Sequence, residues 1–181
     1  VDRYGNSYIT GHSASTSFNS DSISIKNLGI FIAKYDALGN VVWVRTAGGN
    51  HDDYGKSLVV DFNSDIYIAG YFGSDTLSFG NIKLINSGGY DLYIVKYNSN
   101  GNAIWAKRAK GIKDDYGVDI AISNGKYLNI TGNFFSNVLN LDSFTLTNKG
   151  YSDIFNIKCD TSGNIIWTKS EGGTSLEGSN D

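Results

Sequence analysis

Proline and methionine are absent from this chain of 181 residues, and there is a single cysteine. Without proline, turns fall to Gly, Asn, Asp and Ser, which reach positive φ or fold into Asx turns. One thiol, Cys159, excludes an intrachain disulfide. Apolar runs such as Val41-Val42-Trp43-Val44 span only a few residues, too short for a membrane helix, so no membrane insertion is expected. No signal-peptide pattern is present. Charge is also sparse: 18 % of residues, with a net charge of −3. That balance leaves no basic footprint for nucleic acid or an anionic membrane surface. What the chain does have is 40 % hydrophobic residues, 12 Tyr, 9 Phe and 22 Gly. This is a globular composition with enough length for a sizeable core.

The tryptophans reveal the organisation. Trp43, Trp105 and Trp167 are spaced 62 residues apart. The same step links Gly39, Gly101 and Gly163, then Lys34, Lys96 and Lys158, then Phe31, Tyr93 and Phe155. Internal repetition of this kind points to a repeat architecture. Tyr8-Ile9-Thr10-Gly11 matches Tyr67-Ile68-Ala69-Gly70 and Asn129-Ile130-Thr131-Gly132. The first copy is shorter between that segment and Phe31, which predicts a surface loop there. The copies fall at 1–59, 60–121 and 122–181, within one repeat domain spanning 1–181.

Each copy carries several strand patterns and no sustained helical period. In the middle copy these are Ser57-Leu58-Val59-Val60, Ile66-Tyr67-Ile68-Ala69, Leu92-Tyr93-Ile94-Val95-Lys96-Tyr97 and Ala103-Ile104-Trp105-Ala106-Lys107. Phe79, Ile82 and Leu84 predict an extra hairpin between the second and third. In the third strand Tyr93, Val95 and Tyr97 share a face, because side chains alternate. One such unit has too little core to stand alone and must stack on its neighbours. The expected fold is all-β: three four-stranded antiparallel β-propeller blades, an incomplete propeller. The alternative is a β-trefoil-like threefold fold. Cys159 replaces Tyr35 and Tyr97 and is read as buried filler.

The wording of the repeat goes further than its period. Gly89-Tyr90-Asp91-Leu92-Tyr93-Ile94-Val95-Lys96-Tyr97, then Asn100-Gly101-Asn102-Ala103-Ile104-Trp105, then Asp114-Asp115-Tyr116-Gly117, resembles the bacterial SBBP-type β-propeller repeat. So does Val1-Asp2-Arg3-Tyr4-Gly5-Asn6-Ser7-Tyr8-Ile9-Thr10-Gly11. The pattern departs at Leu176, Glu177 and Ser179, and at Ile122-Ser123-Asn124-Gly125. The resemblance implies a secreted or cell-surface bacterial protein, often of the Bacteroidetes group. It implies no activity, since fold does not fix function.

Candidate sites are weighed against structural uses. The pairs Asp52-Asp53 and Asp114-Asp115 could bind Ca²⁺ or act as acid and base. They recur at one offset, which favours a turn or strand-end hydrogen bond. The turns at 36–40, 98–102 and 160–164 look like half a calcium loop but lack its closing Glu, and a hairpin with Gly in the left-handed region explains them. The tryptophans are expected between blades. Arg45, Lys107 and Lys169 lie two residues on and could form an ion-pair row near the Asp pairs. His12 and His51 do not correspond between copies, which argues against a His-based metal site. No phosphate loop or nucleophile elbow is present.

No catalytic, cofactor-binding or metal residue is assigned, no cofactor is expected, and the ligand-binding residues are unassigned. The expected role is a non-enzymatic interaction or scaffold module with a protein or glycan partner. The alternative is a carbohydrate-binding propeller using Tyr71, Phe72, Phe134 and Phe135. The chain begins at Val1 in mid-repeat and is read as a piece of something longer. Other blades of a parent chain, or a second copy, are therefore expected partners. An apolar blade face is expected at each end.

Overall fold

A computed structural model describes residues 1–13 and 29–175 in full, with the backbone of 18–20 and 23–25. Leu176, Glu177 and Ser179 lie outside the described residues. The first blade comprises β1 (Ser7–Ser13), the short hairpin β2 (Phe18–Ser20) and β3 (Ile23–Ile25), then β4 (Gly29–Tyr35) and β5 (Val41–Ala47). The second comprises β6 (Asp53–Val60), β7 (Ile66–Phe72), the hairpin β8 (Thr76–Phe79) and β9 (Ile82–Ile85), then β10 (Asp91–Tyr97) and β11 (Ala103–Arg108). The third repeats this with β12 (Asp115–Ser123), β13 (Tyr127–Phe134), β14 (Val138–Leu141), β15 (Phe144–Thr147), β16 (Asp153–Asp160) and β17 (Ile165–Glu171).

The main sheets run β1-β4-β5, β6-β7-β10-β11 and β12-β13-β16-β17, all antiparallel. No closed barrel forms and no helix occurs among the described residues, so these are blades and not a trefoil. The expected extra hairpin is β8–β9. Each four-stranded sheet takes its first strand from the end of one sequence copy and the other three from the next. Sequence phase and sheet phase are thus offset.

The cores lie between the blades rather than within them. Ile30, Ile32 and Trp43 of the first blade pack with Ile68, Phe72, Tyr93 and Val95 of the second. Tyr67, Leu92 and Ile94, on the opposite face of that second sheet, pack with Ile130, Phe155, Ile157 and Cys159 of the third. The central sheet is therefore buried on both faces, as its β10 shows: only Lys96 of that strand escapes full burial. The hairpins β8–β9 and β14–β15 each close the core between their own blade and the one before it. Leu77 and Phe79 join the first core, Leu139 and Leu141 the second. Backbone bridges at Gly48–Ser78 and Lys110–Asn140 tie each hairpin to the preceding blade. The first strands run close to the neighbouring sheet. A Cβ added to Gly117 would stand 2.8 Å from the Gly70 carbonyl oxygen, so a larger residue would push the blades apart.

The outer face of the third blade differs from expectation. Where the second blade presents Tyr67, Ala69 and Ile94 to its neighbour, the third carries Asn129, Thr131 and Asn156. That face is more polar than its counterpart, although it keeps Ile154 and Trp167, and Asn156 is exposed.

Candidate functional site

Each blade has two chemically distinct ends. At one end lie the Asp/Asn-led turns. Asp36 Oδ1 accepts the N–H groups of Leu38 and Asn40, and its Oδ2 accepts the Asn40 amide. Asn98 and Asp160 accept the matching N–H groups of their own turns. Gly39, Gly101 and Gly163 close these turns at φ of 85°, 76° and 86°, where a side chain would be strained. These oxygens are turned inward onto the backbone, which gives the motif a complete structural use. Asp2 belongs to the same class. Burial would raise its carboxyl, but hydrogen bonds from Asn6, Tyr8 and Tyr4 outweigh that and hold it well below the usual range.

The tryptophans connect these turns across blades. Trp43 Nε1 donates to the Ser99 carbonyl at 3.1 Å, and Trp105 Nε1 donates to the Thr161 carbonyl at 3.4 Å. Arg45 adds bonds to the carbonyls of Asn100 and Gly101. Each blade therefore clasps the turn of the next. The expected row of cations near the Asp pairs does not form. Arg45 serves the neighbouring turn, and Lys107 pairs with Asp142 of the next hairpin. The cations point to the turn end, while the Asp pairs sit at the opposite end of the strands.

At that opposite rim, the second Asp of each pair is buried at a strand start. Asp53 accepts Gly49 N–H, Ser74 N–H and the Ser74 hydroxyl. Asp115 accepts Phe135 N–H, Ser136 N–H and the Ser136 hydroxyl. Each carboxylate thus ties the first strand to the loop after the second. Burial pushes Asp115 up to about 6, against the bonds from Ser136. Asp91 faces it across the blade boundary and is also pushed by burial to about 6, despite Arg108 at 2.8 Å. One oxygen of Asp91 has no hydrogen-bond partner. Of the first Asp of each pair, Asp114 accepts Tyr90 N–H and the Tyr116 hydroxyl. Among the described residues no group of three or more His, Cys, Asp or Glu is placed to hold a metal.

Above these carboxylates runs a band of rings that crosses all three blades. Exposed His12 lies 4.5 Å from Tyr54, Tyr54 lies 4.9 Å from Tyr71, and Tyr71 lies 4.7 Å from Tyr116. Tyr90 packs against Tyr54, Tyr71 and Tyr116. Phe135 and Tyr151 extend the band outward on the third blade. Burial raises the phenols of Tyr71, Tyr90 and Tyr116 above their ordinary value, with Asp114 reinforcing Tyr116. They stay neutral donors at physiological pH.

The expected aromatic residues divide. Tyr71 and Phe135 belong to the band, whereas Phe72 and Phe134 are 0 % exposed and fill the cores. They sit one residue from band members, and in an extended strand adjacent side chains point to opposite faces. The sequence reading missed Tyr54, Tyr90, Tyr116 and Tyr151. For Tyr54 and Tyr116 the signal was present in the repeated Asp-Asp-Tyr-Gly phrase. Cys159 is buried as expected, and burial pushes its thiol up to about 12.

Comparison with known proteins agrees with this architecture. Residues 42–71 match the SBBP beta-propeller repeat. A stretch of 110 residues, 58 % of this chain, is 26 % identical to the uncharacterized WD repeat-containing protein L264 of Acanthamoeba polyphaga mimivirus. A stretch of 114 residues, 61 % of this chain, is 30 % identical to the regulatory protein FlaEY of Caulobacter vibrioides. The matches cover 8 % and 12 % of those two proteins, so this chain spans a small part of their length.

Proposed function

We propose that this chain, which carries the SBBP β-propeller repeat, is a non-catalytic interaction module of a larger secreted or cell-surface bacterial protein. The observation that carries the reading is the ring band from His12 to Tyr151 on one rim. Aromatic side chains at a surface offer large contact area at low entropic cost, which is why they dominate binding faces. Asp53 and Asp115 beneath the band are occupied by backbone and hydroxyl donors, a positioning use rather than a catalytic one. Cross-linking of the purified chain to extracts of its source cells tests this. Partner capture should fall when Tyr54 and Tyr71 are replaced by Ser, and capture that ignores both changes would oppose the rim as the contact face. Antibody labelling of intact cells tests the surface location.

A second partner class is another blade of the same repeat. The first blade presents a 36–40 turn in which a Cβ on Gly39 would meet nothing within 4 Å. The third presents Trp167. These are the two halves of the clasp seen between blades. Because the outer face of the third blade is more polar than its counterpart, a contact made there is weaker than the two internal ones. Sedimentation at micromolar concentration should show reversible self-association, lost on Trp167→Ala. A strictly monomeric species of 19.6 kDa would remove this partner class.

A further inference from the structure

We infer that the cleft at the rim between the second and third blades is a carbohydrate-binding site. The inference rests on the rim being a binding face and names its ligand. The cleft has a volume of about 700 Å³ and is lined by Ile112, Lys113, Asp114, Tyr116, Phe135 and Tyr151. That size lies within the about 300–1,000 Å³ typical of small-ligand sites.

The repeat itself supplies the main argument. One repeat earlier, the positions of Ile112, Phe135 and Tyr151 hold Asn50, Gly73 and Gly89. Three residues of the cleft wall therefore place apolar surface where the previous copy has Asn or Gly, and Lys113 beside them stands where that copy has His51. The first rim is built without these three and carries a different ring, Tyr90, whose counterpart at the second rim is Ser152. Tyr90 takes the space beside Gly73: a Cβ on that glycine would stand 2.9 Å from its ring. Ile112 and Tyr151 are 73 % and 67 % exposed, so they contribute little to any core. Large apolar groups that leave the repeat, converge on one cleft and remain in solvent are accounted for by a ligand.

The chemistry of the wall selects the ligand class. Phe135 meets Tyr116 at 82° and Tyr151 at 85°, edge to face. The rings thus form angled walls, not a closed stack. Beside them each Asp114 oxygen accepts one hydrogen bond and keeps a second lone pair. The Lys113 ammonium donates to Asn137 and has two further protons. A pyranose has apolar C–H faces and an edge of hydroxyls that both donate and accept. Ring walls bordered by an acceptor and a donor match both features. The Asp114 carboxylate offsets the Lys113 ammonium, so the cleft offers an acidic sugar no net positive charge, and the ligand is a neutral or N-acetylated oligosaccharide.

The test is a glycan array of neutral, N-acetylated and acidic oligosaccharides, followed by NMR titration of any hit. The expected result is binding of a neutral or N-acetylated glycan, with shifts centred on residues 112–116, 135 and 151. Tyr151→Gly and Phe135→Ala should each weaken it about tenfold or more, as expected for an aromatic anchor. Tyr151→Gly removes only an exposed ring, so a folded variant is assured by its NMR spectrum. No glycan binding at millimolar concentration, preference for acidic glycans, or binding that ignores both substitutions would overturn the inference. Capture of a protein through these same residues would also overturn it, while leaving the rim as a binding face.

Discussion

The two blade boundaries are alike at one end and unlike at the other. At the turn end both use the same clasp, Trp43 on the Ser99 carbonyl and Trp105 on the Thr161 carbonyl. At the rim the first boundary has Gly29 and Thr46 where the second has the buried pair Asp91 and Arg108. The third copy keeps the buried acid, Asp153, but has Ser170 where the second has Arg108. A buried carboxylate that loses its cation is costly, so at the second boundary Asp91 depends on Arg108. The first rim has Gly73 and Gly89 where the second has Phe135 and Tyr151. The tryptophan clasp is common to both boundaries, and the differences between them named here lie at the rim.

The largest effect should come from the clasp. Trp105→Ala removes an indole from the second core and its bond to Thr161, and should cost about 3 kcal/mol in chemical unfolding. Trp167→Ala removes the same side chain where, among the described residues, no following turn receives it. Its cost should be about 1 kcal/mol. Equal losses would show that the clasp contributes nothing.

Next comes the pair peculiar to the second boundary. Arg108→Met leaves Asp91 buried without its cation, and should cost about 2 kcal/mol at pH 8. The carboxyl can take up a proton instead, so the loss should shrink at pH 5. The double variant Asp91→Gly, Arg108→Thr copies the first boundary and should be more stable than Arg108→Met alone. If it is less stable, the two residues are not coupled.

The same carboxyls set the pH dependence. Asp91 and Asp115 titrate at about 6 in the folded chain, against about 3.9 unfolded. Between these values the folded state binds more protons, so stability falls as pH rises from about 4 to 6 and is level above that. Burial also raises Asp53, in the same sense. Acidification from pH 7 to 5 should therefore raise the melting temperature, by an amount equivalent to about 1–2 kcal/mol. Below pH about 4 the trend reverses. There Asp2 and Asp160, held down by hydrogen bonds that outweigh burial, lose their contribution on protonation. A melting temperature that falls steadily from pH 7 to 4 would contradict the burial of these acids.

The smallest difference concerns two glycines. Gly39→Ala and Gly101→Ala both place a Cβ at positive φ, which costs about 1 kcal/mol. Only at Gly101 does that Cβ meet the Trp43 ring, at 3.1 Å. Gly101→Ala should be the worse by a few tenths to about 1 kcal/mol. Thermal melts of the two variants check this.

The sequence made the fold legible because a blade is dictated locally. Alternation placed Tyr93, Val95 and Tyr97 on one face, and the glycine turns marked the hairpins. The partner of each face was less legible. Nothing local says that Trp43 reaches a carbonyl 56 residues on, or that Arg45 goes with it and not to Asp52 and Asp53. The rim was read least well. Phe72 and Phe134 sit beside band members, and a shift of one residue turns a strand side chain from surface to core. Tyr151 and Ile112 were visible as departures from the repeat. Their convergence on one cleft depends on how the blades stack, which no single copy encodes.

The central claim is that the repeated tryptophan clasp holds the blades together while Ile112, Phe135 and Tyr151, which break the repeat, serve a ligand. One variant addresses it most directly: Ile112→Asn, Phe135→Gly and Tyr151→Gly together, which gives the second rim the residues of the first at these three positions. Its unfolding free energy should be measured beside that of Trp105→Ala. The account predicts that the triple variant loses less than the single tryptophan variant, about 1–2 kcal/mol against about 3. A triple variant as unstable as Trp105→Ala, or more so, would show that the rim residues hold the fold, and would contradict the claim.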